Sequence, residues 1–122
     1  MTNRGEHATR KLKGQLEAEL SEAMMQFQRD QMGRGPEEAK SYVLGDLILV
    51  RLKNVLTPAE RVLLQTPDGR KLVKQMRNEL LEASRPALEA VVTRVTGCGV
   101  VSLHTDLSTK TGERVIVTRG RP

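Results

Sequence analysis

Residues 96–112 read Thr-Gly-Cys-Gly-Val-Val-Ser-Leu-His-Thr-Asp-Leu-Ser-Thr-Lys-Thr-Gly, and this stretch marks the point where the chain changes from helix to strand. Gly97 is typical of a helix end, because glycine readily adopts the left-handed conformation that closes a helix. From Gly99 to Leu107 apolar and polar residues alternate, which predicts a strand with one covered face. A polar turn then leads into a second alternating strand. We therefore predict a β-hairpin over residues 99–118.

Two helices are predicted upstream of this hairpin. Thr57-Pro58-Ala59-Glu60 is a near-ideal helix start, since the threonine caps, the proline fits the first helical position and the glutamate completes a capping box. We place this helix at about 58–65. A longer helix is predicted at about 67–96 from an apolar row of helical spacing. Pro86 interrupts that row, so we expect either a kink or a restart capped by Ser84.

The first third of the chain predicts a helix and a strand. Apolar residues recur at three- and four-residue spacing and predict a helix at about 6–32. The sequence Gly33-Arg34-Gly35-Pro36 ends it. Residues 40–53 then read as one strand that is apolar on both faces, which indicates cover on both sides. We interpret Gly45-Asp46 within it as a bulge or bend.

The order of these elements, α-β-α-α-β-β, predicts an α+β fold. We expect one domain over residues 1–122, with two layers: a small antiparallel or mixed three-stranded sheet and helices on one of its faces. Three strands leave unpaired edges, and the apolar spacing of the first helix would also suit a second copy. We therefore expect a homodimer.

Composition limits the functional classes. The chain has 122 residues and a net charge of +5, and its aromatic share of 2% is Phe27 and Tyr42 alone, so the core must be aliphatic. The positive charge is spread along the chain and stacking aromatics are nearly absent, so nucleic-acid binding is not favoured. A single cysteine, Cys98, cannot form an internal disulfide, which indicates the reducing cytoplasm. The sequence shows no signal peptide, and the apolar run from Leu47 to Val50 is too short for a transmembrane segment.

The strand over residues 99–107 carries the most distinctive polar pair. His104 and Asp106 are two positions apart, so both side chains leave the same face. They could serve as a general base with its orienting carboxylate, or as half of a metal site. Their roots lie about 6.6–6.8 Å apart, which strains a direct hydrogen bond, and the other histidine, His7, is far away in sequence. We favour a solvated or partner-facing surface, with no catalytic residue, no metal site and no cofactor.

The turn that follows is rich in hydroxyl groups. Its hydroxyls, amides and single ammonium group could cradle a phosphate or a carboxylate; alternatively, the hydroxyls cap their own backbone. The glycine-rich pattern of a phosphate-binding loop is absent. The candidate binding residues of the whole hairpin are therefore His104, Asp106, Ser108, Thr109, Lys110, Thr111 and Glu113.

With these segments placed, the chain resembles the MpsC-like family of small bacterial proteins, which takes its label from a sodium-translocating, membrane-potential-generating system. The resemblance rests on 33–36, on 42–60 with its Gly45-Asp46 and Val55-Leu56-Thr57-Pro58-Ala59-Glu60, and most specifically on 96–113; it covers most of residues 4–118. Two residues depart from the family pattern: Asn54 stands where glycine is usual, and Thr105 where serine is common.

The resemblance implies an accessory protein of a membrane ion or bicarbonate system, without an assigned reaction or catalytic residue. Our first hypothesis is accordingly a non-enzymatic interaction protein, cytoplasmic or peripheral to the inner membrane, whose hairpin binds a membrane-protein partner or a small anion. The alternative is a nucleic-acid-binding regulator. A third hypothesis is an enzyme in which His104 is the base and Asp106 orients it; this hypothesis requires a concave pocket beside the strand.

Overall fold

The computed structural model describes residues 11–121, and in that range it forms four helices and four strands. In chain order they are α1 Lys13–Met32, β1 Glu38–Leu44, β2 Leu47–Lys53, α2 Pro58–Leu63, α3 Pro67–Ala83, α4 Arg85–Thr96, β3 Gly99–Leu107 and β4 Arg114–Arg121. The predicted α+β class is confirmed. Residues 6–10 of the predicted first helix, and His7 with them, lie outside the described residues.

The strands form one antiparallel sheet in the order β1-β2-β4-β3. Two hairpins, β1–β2 and β3–β4, therefore meet along the central pair β2–β4, where Val50 lies opposite Ile116. Alternate side chains of β2 and β4 are buried on one face of the sheet. This inner face packs on the helices, and α1 is tied to β1 by a hydrogen bond of 2.9 Å from Ser21 to Ser41.

The core is aliphatic, as the composition predicts. Leu20, Met24 and Phe27 of α1, together with Leu88 and Val92 of α4, are buried in the same cluster as the inner face of the sheet. Phe27 is the one aromatic side chain of this cluster among residues 11–121. Removal of this apolar surface from water is the main force that holds the helical layer on the sheet.

The predicted strand at 40–53 is two strands, so the sheet has four strands rather than three. Gly45 has a φ of +64° and, with Asp46, makes the two-residue turn between β1 and β2. A φ in this region favours glycine, which explains why the chain reverses at this position. The apolar character of residues 40–53 on both faces predicts one continuous buried strand, and this prediction is wrong. The Gly-Asp pair is itself a hairpin signal.

The predicted helix at 67–96 is two helices, α3 and α4. The chain breaks at Ser84, and Pro86 lies in the first turn of α4, where a missing amide is tolerated. The expected restart is therefore present, but the Ser84 side chain makes no capping hydrogen bond. Two other signals are confirmed: Thr57 and Glu60 form a complete capping box at α2, and Gly97 closes α4 with a φ of +76°.

The two edges of the sheet are β1 and β3. On β1, the amide of Val43 donates a hydrogen bond of 2.8 Å to the carboxylate of Glu17, so α1 occupies part of that edge. On β3, an irregularity between Val100 and Ser102 breaks the register. Both features disfavour the addition of another strand. Over residues 11–121 no helix has the length and apolar character that crossing a bilayer requires.

Candidate functional site

The turn end of the β3–β4 hairpin is fixed by a buried arginine. Arg114, the first residue of β4, is 2% exposed and donates hydrogen bonds to the hydroxyl of Thr105 (2.8 Å) and to the side-chain oxygen of Asn78 on α3 (3.3 Å). Burial, with repulsion from the nearby Arg77, lowers the pKa of Arg114 to about 10, so it remains charged at neutral pH. The hairpin is thus held against α3 by a cation whose described hydrogen-bond acceptors are neutral.

The turn between β3 and β4 satisfies its own backbone. The hydroxyl of Ser108 accepts from the amide of Thr111 (3.3 Å), and the hydroxyl of Thr111 accepts from the amide of Glu113 (3.2 Å). The amide of Gly112 donates to the carbonyl of Ser108 (2.8 Å). Of the two alternatives for this segment, self-capping describes Ser108 and Thr111.

Thr109 and Lys110 point elsewhere. They line a shallow cleft of about 500 Å³ together with Leu64 and Arg70. Leu64 lies at the end of α2 and Arg70 near the start of α3. Arg70 is held there by a hydrogen bond of 2.9 Å to the carbonyl of Leu64. Two cations therefore face one cleft at the tip of the hairpin.

Asp106 is paired with α3 and not with the histidine two positions away. Its carboxylate lies 3.2 Å from the ammonium of Lys74. The hydrogen bond from Lys74, with a second from the backbone of Leu107, lowers the pKa of Asp106 below its ordinary value. The carboxylate is therefore engaged with a lysine rather than placed to orient His104 as a general base. Among residues 11–121 no group of three or more His, Cys, Asp or Glu side chains is placed to hold a metal ion.

His104 lies on the face of the sheet opposite the helices. Registers across the four strands place it in one row with Val117, Leu49 and Tyr42. We call this surface the open face and define it by three such rows. Its residues are Leu44, Leu47, Arg119 and Ser102 in the first row, Tyr42, Leu49, Val117 and His104 in the second, and Lys40, Arg51, Val115 and Asp106 in the third.

The open face has an aliphatic centre and a charged margin. Leu44, Leu47 and Tyr42 are exposed, while Leu49 and Val117 are only half-buried. At the margin Arg51 forms an ion pair with Glu113, and the hydrogen bond in this pair raises the pKa of Arg51 above its ordinary value. A sheet face that meets only water is normally polar, so the exposed leucines beside the β1–β2 turn and the half-buried aliphatic centre are the unusual features.

The predicted site residues therefore divide among three places. His104 and Asp106 belong to the open face, with Glu113 at its margin; Thr109 and Lys110 line the cleft; Ser108 and Thr111 hold the turn. Residues of other elements were missed, namely Tyr42, Arg51, Arg70 and Lys74. Residues 49, 51 and 53 alternate with buried residues of β2, and this pattern in the sequence indicates one exposed face. Only the order of the strands shows that this face lies beside His104.

Comparison with known proteins gives one family and one curated relative. Residues 12–119 match the model of a family described as "Na+-translocating membrane potential-generating system (MpsC)". The "Uncharacterized protein YbcI" of Bacillus subtilis (strain 168) is 44% identical over 108 residues, which are 88% of this chain and 87% of that protein. No solved structure matches the chain.

Proposed function

The chain belongs to the MpsC family, and from this premise we propose that it is a non-enzymatic accessory protein that docks on another component of a membrane ion-transport system. The family description names a membrane-potential-generating system. The chain would act in such a system through binding. The observation that carries this proposal is the open face, a sheet surface with an aliphatic centre that its own helices do not cover.

The chemistry of the open face specifies the kind of partner surface. An uncovered apolar patch rimmed by polar groups is the usual composition of a protein–protein contact. Lys40, Arg51 and Lys53 are exposed at one margin, and Lys110 is exposed at the hairpin tip. A complementary partner therefore presents an apolar patch flanked by carboxylates, and the cations would steer its approach.

The geometry supports binding over catalysis at His104. The imidazole is exposed in the middle row of the open face, and the adjacent carboxylate is paired with Lys74. A general base needs a substrate held within hydrogen-bond reach and sheltered from water. As a docking residue, His104 needs only exposure and an aliphatic neighbour such as Val117.

The test is a comparative capture from detergent-solubilised membranes of the native cell. We expect the tagged wild-type protein to recover a membrane-spanning component of an ion-transport system, identified by mass spectrometry. The double variant His104→Ala/Lys110→Ala should recover at least about tenfold less, since loss of a contact in the middle row together with a steering cation at the hairpin tip should cost about 1.4 kcal/mol or more.

A matched control keeps this experiment specific. Arg94→Ala also removes one charge, but from an exposed position on α4 on the helical side of the molecule, and it should recover the partner as the wild type does. Circular dichroism should show that all three proteins are folded. Equal recovery by the wild type and the double variant would contradict the proposal.

One observation favours a second function, a nucleic-acid-binding regulator. Lys40, Arg51 and Arg119 all belong to the open face, and antiparallel sheets with cationic faces can bind single strands. This function predicts that affinity for a 20-nucleotide oligomer, measured by fluorescence anisotropy, falls steeply as salt rises. An oligomer that does not bind at 20 mM salt would remove this alternative. The single aromatic of the open face, Tyr42, makes it the weaker candidate.

A further inference from the structure

A second uncovered apolar surface lies on α3, away from the open face. Leu72, Met76 and Leu80 are spaced by four residues and form one row along the helix. They are 57%, 41% and 40% exposed. With Gln75 and Glu79 they line a shallow groove of about 400 Å³. We call this surface the α3 row.

The α3 row is not part of the packing of α3 on its own molecule. That packing uses a neighbouring row, in which Val73, Arg77 and Leu81 are buried. An amphipathic helix normally needs one apolar stripe to face its core. The preceding helix α2 adds two more exposed aliphatic side chains, Val62 and Leu63. The helical segment therefore presents more apolar surface to solvent than its own core requires.

The charges on the exposed side of α3 run against the helix dipole. Arg70 and Lys71 are exposed near its N-terminus, whereas Glu79 and Glu82 are exposed near its C-terminus. An α-helix favours acids at its N-terminus and bases at its C-terminus. This arrangement is therefore unfavourable for α3 alone, and only Asp68 in the first turn follows the usual preference.

We propose that the α3 row is the contact surface for a second copy of this chain, with the two α3 helices antiparallel across a two-fold axis at Met76. In this arrangement Met76 meets its own counterpart and Leu72 of each copy lies against Leu80 of the other. Lys71 of each copy then lies on the same flank as Glu79 and Glu82 of the other. A two-fold contact requires a self-complementary surface.

The α3 row meets that requirement in both shape and charge. Leucine, methionine and leucine read the same in either direction, and the basic end of one helix meets the acidic end of the other. Rows spaced by four residues can interdigitate in the commonest class of helix packing. The antiparallel arrangement also sets the two helix dipoles in opposition, which offsets the unfavourable charge placement within each copy. This interface goes beyond the proposed function, because it leaves the open face free.

Analytical ultracentrifugation of the full chain tests the proposal. The wild type should show a monomer–dimer equilibrium at micromolar to submillimolar concentration. Met76→Arg places two cations together at the axis and should raise the dimer dissociation constant at least about tenfold. Because Met76 is exposed, the thermal unfolding midpoint of the diluted monomer should stay unchanged. As a control, Val101→Arg changes an exposed aliphatic residue on β3 and should dimerise like the wild type.

Charge exchange between copies gives a second readout that loss of folding cannot imitate. Lys71→Glu and Glu79→Lys/Glu82→Lys should each dimerise at least about tenfold more weakly than the wild type. An equimolar mixture of the two should recover the dimer, since opposite charges then meet at both ends of the row. A wild type that is monomeric at 1 mM, or a dimer insensitive to Met76→Arg, or variants that fail to recover on mixing would overturn the proposal. The variant His104→Ala/Lys110→Ala should keep the dimer, which separates this test from that of the proposed function.

Discussion

Asn54 has a positive φ of +57°, and it is the one non-glycine residue among residues 11–121 with such a backbone. The left-handed region costs most side chains about 1–2 kcal/mol, while glycine enters it freely and asparagine tolerates it. The sequence resemblance marks this position as one where glycine is usual, and the backbone supplies the reason. Asn54 adds contacts that glycine lacks: it accepts a hydrogen bond from Arg61 and donates one to Glu37.

The first prediction concerns substitution of this residue. Asn54→Ala keeps the positive φ and loses both side-chain contacts, so it should lower the free energy of unfolding by about 1–2 kcal/mol. Asn54→Gly removes the backbone strain together with the contacts and should lie within about 0.5 kcal/mol of the wild type. Urea unfolding measured by circular dichroism checks both. An alanine variant as stable as the glycine variant would show that the backbone conformation is not the determinant.

Thr105 illustrates how a departure from a family pattern can leave the chemistry intact. Its hydroxyl donates to the carbonyl of Val115 (2.8 Å) and accepts from Arg114 (2.8 Å). A serine would supply the same hydroxyl at the same place, so either residue serves the buried guanidinium. The sequence placed Thr105 on the covered face of its strand, but its partner could be identified only after the register of β3 and β4 was known.

At the scale of the element, helix ends were predictable and strand number was not. The starts of α2 and α3 each have a capping threonine followed by a proline, and the end of α4 has a glycine. These signals are local in the sequence and were therefore predictable. The β1–β2 turn also has a local signal, Gly45-Asp46. The continuous apolar run after this turn favours a single strand instead. A strand buried on both faces and a hairpin within a sheet produce similar short apolar patterns, so the sequence does not separate them.

Glu60 performs two tasks at the junction of α2 and α3. Its carboxylate accepts a hydrogen bond from the amide of Thr57 (2.8 Å) as part of the capping box. It also accepts a hydrogen bond from Nε of the buried Arg77 (2.7 Å). Arg77 also donates to the carbonyl of Val55 (3.1 Å). The capping box was read from the sequence, but the ion pair was not, because it joins residues 17 positions apart.

The second prediction follows from the pKa of Glu60. Burial acts to raise this pKa, but the hydrogen bonds from Arg77 and Thr57 outweigh burial and lower it below 4.5. The folded state then binds fewer protons at Glu60 than the unfolded state. The stabilisation is complete above pH 4.5 and is lost as the pH falls through the folded-state pKa. Carbon-detected NMR titration should place this carboxyl below 4.5.

Substitution tests the same pair in the stability measurement. Glu60→Gln leaves Arg77 buried without its carboxylate and should lower the free energy of unfolding at pH 7 by about 3–5 kcal/mol. It should also reduce the loss of stability between pH 7 and pH 3.5. Glu79→Gln, an exposed acid of the same segment, should change stability by less than about 0.5 kcal/mol. A pH dependence identical in the wild type and Glu60→Gln would argue against the ion pair.

At the scale of the molecule, the candidate site depends on strand order. His104 and Asp106 were found on one face from their spacing alone, because alternation is a local property of a strand. Tyr42 and Leu49 join His104 only because β2 pairs with β4, which no local pattern reveals. The α3 row was visible as apolar residues, but the sequence cannot show which of two neighbouring rows on one helix faces the core.

The third prediction concerns cooperativity. The pairing of β2 with β4 places Val50 from the first half of the chain against Ile116 from the second, and both are buried in one core. A shared core predicts that the two hairpins unfold together. Fluorescence of Tyr42, the single tyrosine, reports β1, whereas far-ultraviolet circular dichroism reports mainly the helices. Both signals should give the same urea midpoint in a dilute, monomeric sample.

A central substitution makes this prediction sharper. Ile116→Ala removes fully buried methyl groups from β4 and should lower the free energy of unfolding by about 2–5 kcal/mol. Its effect should appear equally in the Tyr42 signal, although Tyr42 lies two strands away in the sheet. Val101→Ala, at an exposed position of β3, serves as the control and should move neither midpoint appreciably. If Ile116→Ala shifted only the circular dichroism, the first hairpin would be an independent unit, and the open face would then be a junction between two bodies rather than one rigid docking surface.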